Sequence, residues 1–180
     1  RFVESTDHCF ANHDRIAELN LYDGKADRYF SGSPVPLAEE LRTWALGETE
    51  AISSVTYPRE RPYYVELSPE KTLPYELETI EIDTCYNKIF TPEMVAGHWK
   101  MASQSLNSVI LSQSMAIKIF GNAESAIGKH MTLMRRLNTS PESTPKTGGI
   151  VYIIQAVMKD IPLNNSLDFM QNIDMLTVND

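Results

Sequence analysis

The chain has 180 residues, of which 42% are hydrophobic and 22% charged, and a formal net charge of -8. That length suits one domain, or one domain with two lobes, and the composition supports a packed core rather than a disordered tail. The acidic balance argues against nucleic acid and anionic lipid as partners, because phosphate contacts need a basic face and the only compact basic pair is Arg135-Arg136.

No apolar run approaches the ~20 residues that a membrane helix requires. The longest, Gly149-Ile-Val-Tyr-Ile-Ile, is strand-sized, and these 180 residues show no signal-peptide pattern. The chain begins with Arg1, which leads us to expect a piece of a longer protein. Cys9 and Cys85 set no disulfide framework. They could pair in an oxidising compartment, but two small buried hydrophobes is the preferred reading.

In chain order, the segment from Arg15 to Tyr22 alternates roughly and meets Asp23-Gly24, a hairpin dipeptide, so a second strand is expected near Ala26 to Phe30. Ser33-Pro34 reads as a helix start, and the helix is expected over 35–46 with Leu37, Leu41 and Trp44 on one apolar face and Gly47 as its stop. Ala51 to Tyr57 reads as a strand, Pro58 to Pro62 as a turn, Tyr63 to Leu67 as the returning strand, and Thr79 to Asp83 as another. The prolines here favour edge strands or irregular hairpins.

The composition shifts at Thr91-Pro92. Val109 to Leu111 is expected as a strand, followed by a Ser112-capped helix over 113–120 that buries Met115, Ala116, Ile119 and Phe120 and stops at Gly121. A strand over Lys129 to Met134 comes next, then a polar loop from Arg135 to Gly149 and a strong β-branched strand from Ile150 to Lys159. The pattern is α+β: a two-lobed mixed domain with short strands, hairpins and few helices.

No stretch of the sequence carries a complete catalytic or ligand-binding motif. Gly121 to Lys129 looks like a phosphate loop, but six residues separate its glycines, His130 replaces the hydroxyl residue, and it follows a helix and leads into a strand. Asp7, His8, Cys9 and His13 are a loose group of ligand types without the paired spacing of a zinc site. Ser112 and Ser114 lack a nucleophile elbow, and Cys85 has no neighbouring base. Glu76, Glu78, Glu81 and Asp83 share strand faces in pairs and read as a solvated outer face. No catalytic, cofactor or metal residue is assigned.

Four phrases carry a resemblance. Phe90-Thr-Pro-Glu-Met94-Val-Ala-Gly97 is the first, and Ser112-Gln-Ser-Met-Ala116-Ile-Lys-Ile-Phe120-Gly121 the second. Ile127-Gly128-Lys129 is the third. Ala156-Val-Met-Lys159-Asp160-Ile161-Pro162, followed by Asn164-Asn165-Ser166, is the fourth. In this order and spacing the chain resembles the extracytoplasmic (periplasmic) core domain of MacB/FtsX-type ABC transporter permeases. The loop 135–149 departs from the pattern by its length.

The resemblance implies two lobes. The first covers 1–89 with 161–180 as its partial return, and the second, inserted lobe covers 90–160. It implies membrane helices flanking this chain in the parent, one before Arg1 and three after Asp180. It also implies a place on the outer face of the bacterial inner membrane. The implied function is non-catalytic: ATP-driven motion passes from the membrane helices to a substrate or partner protein. Implied partners are a cytoplasmic ATP-binding subunit or domain, an adaptor or outer-membrane protein, and a second permease in a homo- or heterodimer. Gly97, Ala116, Gly121, Gly128 and Pro162 then read as fold determinants. The alternative is a stand-alone extracytoplasmic ligand- or peptide-binding module with a deep apolar pocket.

Overall fold

The computed structural model describes residues 8–19, 21–30, 36–44, 47, 49–68, 70–105, 107–133, 149–163, 167 and 170–178. Ser33-Pro34 and nearly all of the 135–149 loop lie outside these.

At the N-terminal end, β1 (Leu21–Asp23) and β2 (Arg28–Phe30) pair antiparallel as a separate two-stranded sheet. The Asp23 carboxylate accepts from the amides of Lys25 and Ala26, which is why Asp23-Gly24 turns the chain. The strand is shorter than expected, because residues 15–19 pair with nothing in a ladder. Helix α1 (Leu37–Trp44) follows. Trp44 is 80% exposed rather than buried, so the expected apolar face of α1 ends at Leu41.

The main sheet begins with β3 (Arg59–Ser68) and β4 (Lys71–Ile82), a long antiparallel hairpin. The expected turn at Pro58 to Pro62 is thus mostly strand, and Ala51 to Tyr57 contributes only a single bridge, Val55 to Ile82. The prolines are tolerated because each strand has a neighbour on one side only at those points. β7 (His130–Leu133) reaches β3 only at 63–65, and β9 (Met175–Val178) reaches β4 only at 79–82. Pro62 and Pro74 fall outside both stretches and so leave no ladder partner unmet there.

Two short helices, α2 (Tyr86–Phe90) and α3 (Trp99–Gln104), flank β5 (Met94–Gly97). Then come β6 (Ser108–Ser112), α4 (Gln113–Phe120), a 3-10 turn at Glu124–Ala126, β7, and β8 (Ile150–Met158). β8 is parallel to β6, and β9 runs parallel to β4 and antiparallel to β6.

These pairings close on themselves. β8, β6, β9, β4, β3 and β7 form a continuous circuit, because β7 pairs with β3 on one side and with β8 on the other. β5 adds to the remaining edge of β8. The circuit draws strands from 1–89, from 90–160 and from 161–180, so one sheet runs through all three stretches.

Strand alternation then sorts the apolar residues into two cores. One is built from Tyr63, Val65, Leu77, Val109, Leu111, Met131, Ile154, Val157 and Met175, which come from all six strands of the circuit and so fill its inside. Met115, Ala116 and Ile119 of α4 join it, as expected, with Phe120 packing alongside. The other core lies outside the ring. There Ile80, Ile82, Ile110, Ala156, Met158 and Leu176 are covered by Tyr86 and Phe90 of α2 and by Ala102 of α3. Phe10, Met170 and Ile173 complete that cover, with Phe10 meeting Phe90 edge to face at 5.3 Å. No residue of α1 belongs to either core.

Candidate functional site

The four phrases that carry the resemblance meet in space along β8. The first supplies the last residue of α2 and all of β5, and β5 pairs with β8 through Met94 to Met158 and Gly97 to Ala156. Phe90 is buried at the α2 end. Gly97 sits where β8 bulges at Gln155, with φ at +69°. A Cβ there would meet the Gln155 carbonyl oxygen at 2.2 Å, so only glycine fits this approach.

The second phrase is β6 and α4. Ser112 ends the strand and caps the helix, its hydroxyl accepting from the Met115 amide at 3.4 Å. The neighbouring amide, of Ser114, donates to the Asp160 carboxylate at 3.0 Å. Asp160 belongs to the fourth phrase, so two distant motifs are joined at one helix end, where a carboxylate also suits the helix dipole. Lys159 returns to the first phrase: its amide donates to the Glu93 carbonyl at 2.8 Å and its ammonium lies 3.1 Å from the Glu93 carboxylate. The third phrase closes the set, as the Gly128 amide donates to the Ile154 carbonyl at 2.8 Å.

This arrangement positions backbone. Within the loop that mimics a phosphate site, the Gly128 amide is spent on β8 and the Ser125 amide on the Asn122 side chain at 2.7 Å. The Gly121 amide bonds back to Ile117, so the stretch is a helix stop followed by a turn. His8 and His13 stack ring on ring at 4.3 Å, and among the described residues no three His, Cys, Asp or Glu side chains gather as a metal site. Ser112 and Ser114 lie with their hydroxyl oxygens 3.5 Å apart at the start of α4. No disulfide joins Cys9 to Cys85; Cys9 is exposed and Cys85 half-buried, which corrects the expectation of two buried thiols.

The carboxylates depart most from expectation. Glu76 is exposed, as read, and Glu78 half-buried. Glu81 instead turns toward the Arg61 guanidinium at 2.6 Å, both partly buried. Asp83 is almost fully buried and accepts four donors: the Arg42 guanidinium, the Ser53 hydroxyl at 2.8 Å, and the amides of Ser54 at 2.7 Å and Cys85 at 2.9 Å. Such satisfaction is what makes a buried carboxylate tolerable. No local spacing announces it, since Arg42 and Asp83 are 41 positions apart.

Asp174, also missed from sequence, ties three strands together at the start of β9. Its side chain accepts from the Glu78 amide at 2.9 Å, its amide donates to the Glu78 carbonyl, and its carbonyl accepts from Ser112. Burial raises the Asp174 pKa and Asp160 adds to the rise, while the Glu78 amide and Lys118 hold it back. Glu78 is raised as well, by burial and by the charges of Glu60 and Asp174. The buried phenols of Tyr86 and Tyr63 and the half-buried phenol of Tyr152 are all pushed up by desolvation. These shifts follow from packing and backbone ties, and at Tyr86 the neighbouring Cys9 thiol adds to the rise.

Comparison with protein families finds no matching family model, and comparison with curated proteins finds no match. Solved structures do match. A domain of a protein named as a permease from Porphyromonas gingivalis superposes with a TM-score of 0.60 at 22% identity, over 84% of this chain and 55% of that one. The periplasmic region of MacB from Actinobacillus actinomycetemcomitans gives 0.49 at 16%, over 87% and 61%. The extracellular domain of the noncanonic ABC-type transporter YknZ from Gram-positive bacteria gives 0.46 at 14%, over 77% and 59%. The chain thus spans little more than half the length of these structures. No helix among the described residues is long and apolar enough to cross a membrane. The chain has the α+β fold of the domain of the Porphyromonas gingivalis protein named as a permease.

Proposed function

We propose that this chain is the non-catalytic extracytoplasmic part of an ABC transporter permease. One observation carries the reading: four phrases that resemble this permease type converge along β8, on a fold shared with a permease domain. In this role ATP is hydrolysed by a cytoplasmic subunit or domain, and the membrane helices of the parent relay the motion outward. The chain then works on a substrate, an adaptor or outer-membrane protein, or a second permease of a dimer. The stretches 1–89 with 161–180, and 90–160, serve as two halves joined through the shared sheet. Their fold residues position surfaces and perform no bond chemistry.

The test uses the parent protein in intact cells. Gln104 is exposed at the end of α3, so Gln104→Cys, in a Cys9→Ser and Cys85→Ser background, reports the side of the membrane. A membrane-impermeant maleimide is expected to label it without permeabilisation, and the parent to sediment with membranes. Labelling only after permeabilisation overturns the reading. A parent that stays outside the membrane fraction points to the stand-alone binding module instead.

A further inference from the structure

Helix α1 is attached to the rest of the molecule in an unusual way. Eight residues of helix are marginal on their own and normally rely on an apolar face sunk into a core. Yet α1 has no fully buried residue, and neither core includes any part of it. Leu37, Ala38 and Leu41 are only half-buried. Among the described residues, Arg42 supplies the hydrogen bonds that tie the helix to the rest of the molecule. Its Nε donates to the Ile52 carbonyl at 3.0 Å, and its Nη2 donates to Asp83 just past the end of β4.

Asp83 also holds the segment after the helix, through the hydroxyl of Ser53 and the amide of Ser54. The same carboxylate therefore fixes α1, the 52–54 segment and, through Cys85, the entry to α2. The guanidinium reaches two acceptors at once because it is planar and forked, and its charge strengthens both bonds. Without Arg42, Asp83 keeps three donors and remains satisfied. Loss of the clamp therefore leaves the Asp83 carboxylate hydrogen-bonded, although without its counter-ion.

We propose that α1 is a releasable strap, latched to the barrel by the Arg42–Asp83 clamp. The strap can open while the six-stranded ring stays closed, which gives this domain a local conformational change available without unfolding. The device holds whatever the parent protein does.

Native-state hydrogen exchange on the chain tests it. The Arg42→Gln variant keeps length and helix propensity but removes the charged fork. Its α1 amides are expected to lose protection by roughly tenfold or more, the loss typical of a hydrogen bond to a charged group. Amides of β6, β8 and β9 are expected to stay within about twofold of the unmodified chain. Arg42→Lys, which keeps the charge but cannot span both acceptors, should fall between the two. Unchanged α1 protection in Arg42→Gln overturns the proposal. So does an equal loss across the barrel strands, or a variant that fails to fold, because Arg42 would then be part of the global fold rather than a latch.

Discussion

Two glycines separate two physical requirements. Gly97 has a left-handed φ and a carbonyl 2.2 Å from where a Cβ would stand, whereas Gly121, at φ +87°, has nothing within 4 Å. Alanine at 97 must both strain the backbone and push β8 away, so Gly97→Ala is expected to cost ~2–4 kcal/mol in urea denaturation. Gly121→Ala meets only the backbone strain and is expected to cost ~1 kcal/mol. Equal costs would contradict the account of the β8 bulge. Asp174 offers a test by pH. Its folded pKa is raised, so the ionised carboxylate works against the fold at neutral pH, and the burden lifts as pH falls through the raised value toward the ordinary one. Asn at 174 can still accept from the Glu78 amide without the charge. Asp174→Asn is therefore expected to raise the urea midpoint at pH 7, with the difference vanishing below pH ~4, where the parent carboxyl is protonated. A midpoint that falls at pH 7 would show that the charged bond from the Glu78 amide and attraction to Lys118 together outweigh burial.

Among the elements, α4 shows why some of this structure was legible in the sequence. Ser112, the 3.6-residue spacing of Met115, Ala116 and Ile119, and Gly121 each state a local rule, and the helix obeys all of them. β6 and β8 were readable for the same reason, as dense β-branched runs. The helices α2 and α3 were not. They have five and six residues, their N-caps Cys85 and His98 make no side-chain bond, and tertiary cover by the outer core holds them. Trp44 misled the reading of α1 because its spacing fits a buried face that the fold does not provide. The Asp160 contact to α4 joins residues 46 apart, beyond any local pattern. It is the better-formed of the two caps, at 3.0 Å against 3.4 Å for Ser112. Asp160→Ala is expected to cost ~1–1.5 kcal/mol and Ser112→Ala somewhat less, at ~0.5–1 kcal/mol, by thermal or urea unfolding.

At the scale of the molecule, closure of the sheet is the organising fact, and it rests on β7, four residues that pair with β3 and β8. Met131 of β7 and Leu111 of β6 are fully buried in the one core that all six strands share. Met131→Ala and Leu111→Ala are each expected to cost ~2–5 kcal/mol and to leave a single unfolding transition, since the core is common to both proposed halves. Two separate transitions would mean that the halves fold independently. The functional reading asks more: that this body moves when ATP is hydrolysed elsewhere in the parent. The direct measurement is energy transfer in the full parent transporter, reconstituted in a bilayer with acceptor-labelled lipids and a donor on Gln104→Cys. The account predicts that transfer efficiency changes on addition of ATP and does not change in a hydrolysis-deficient parent; an efficiency that ignores ATP in the active transporter would contradict it.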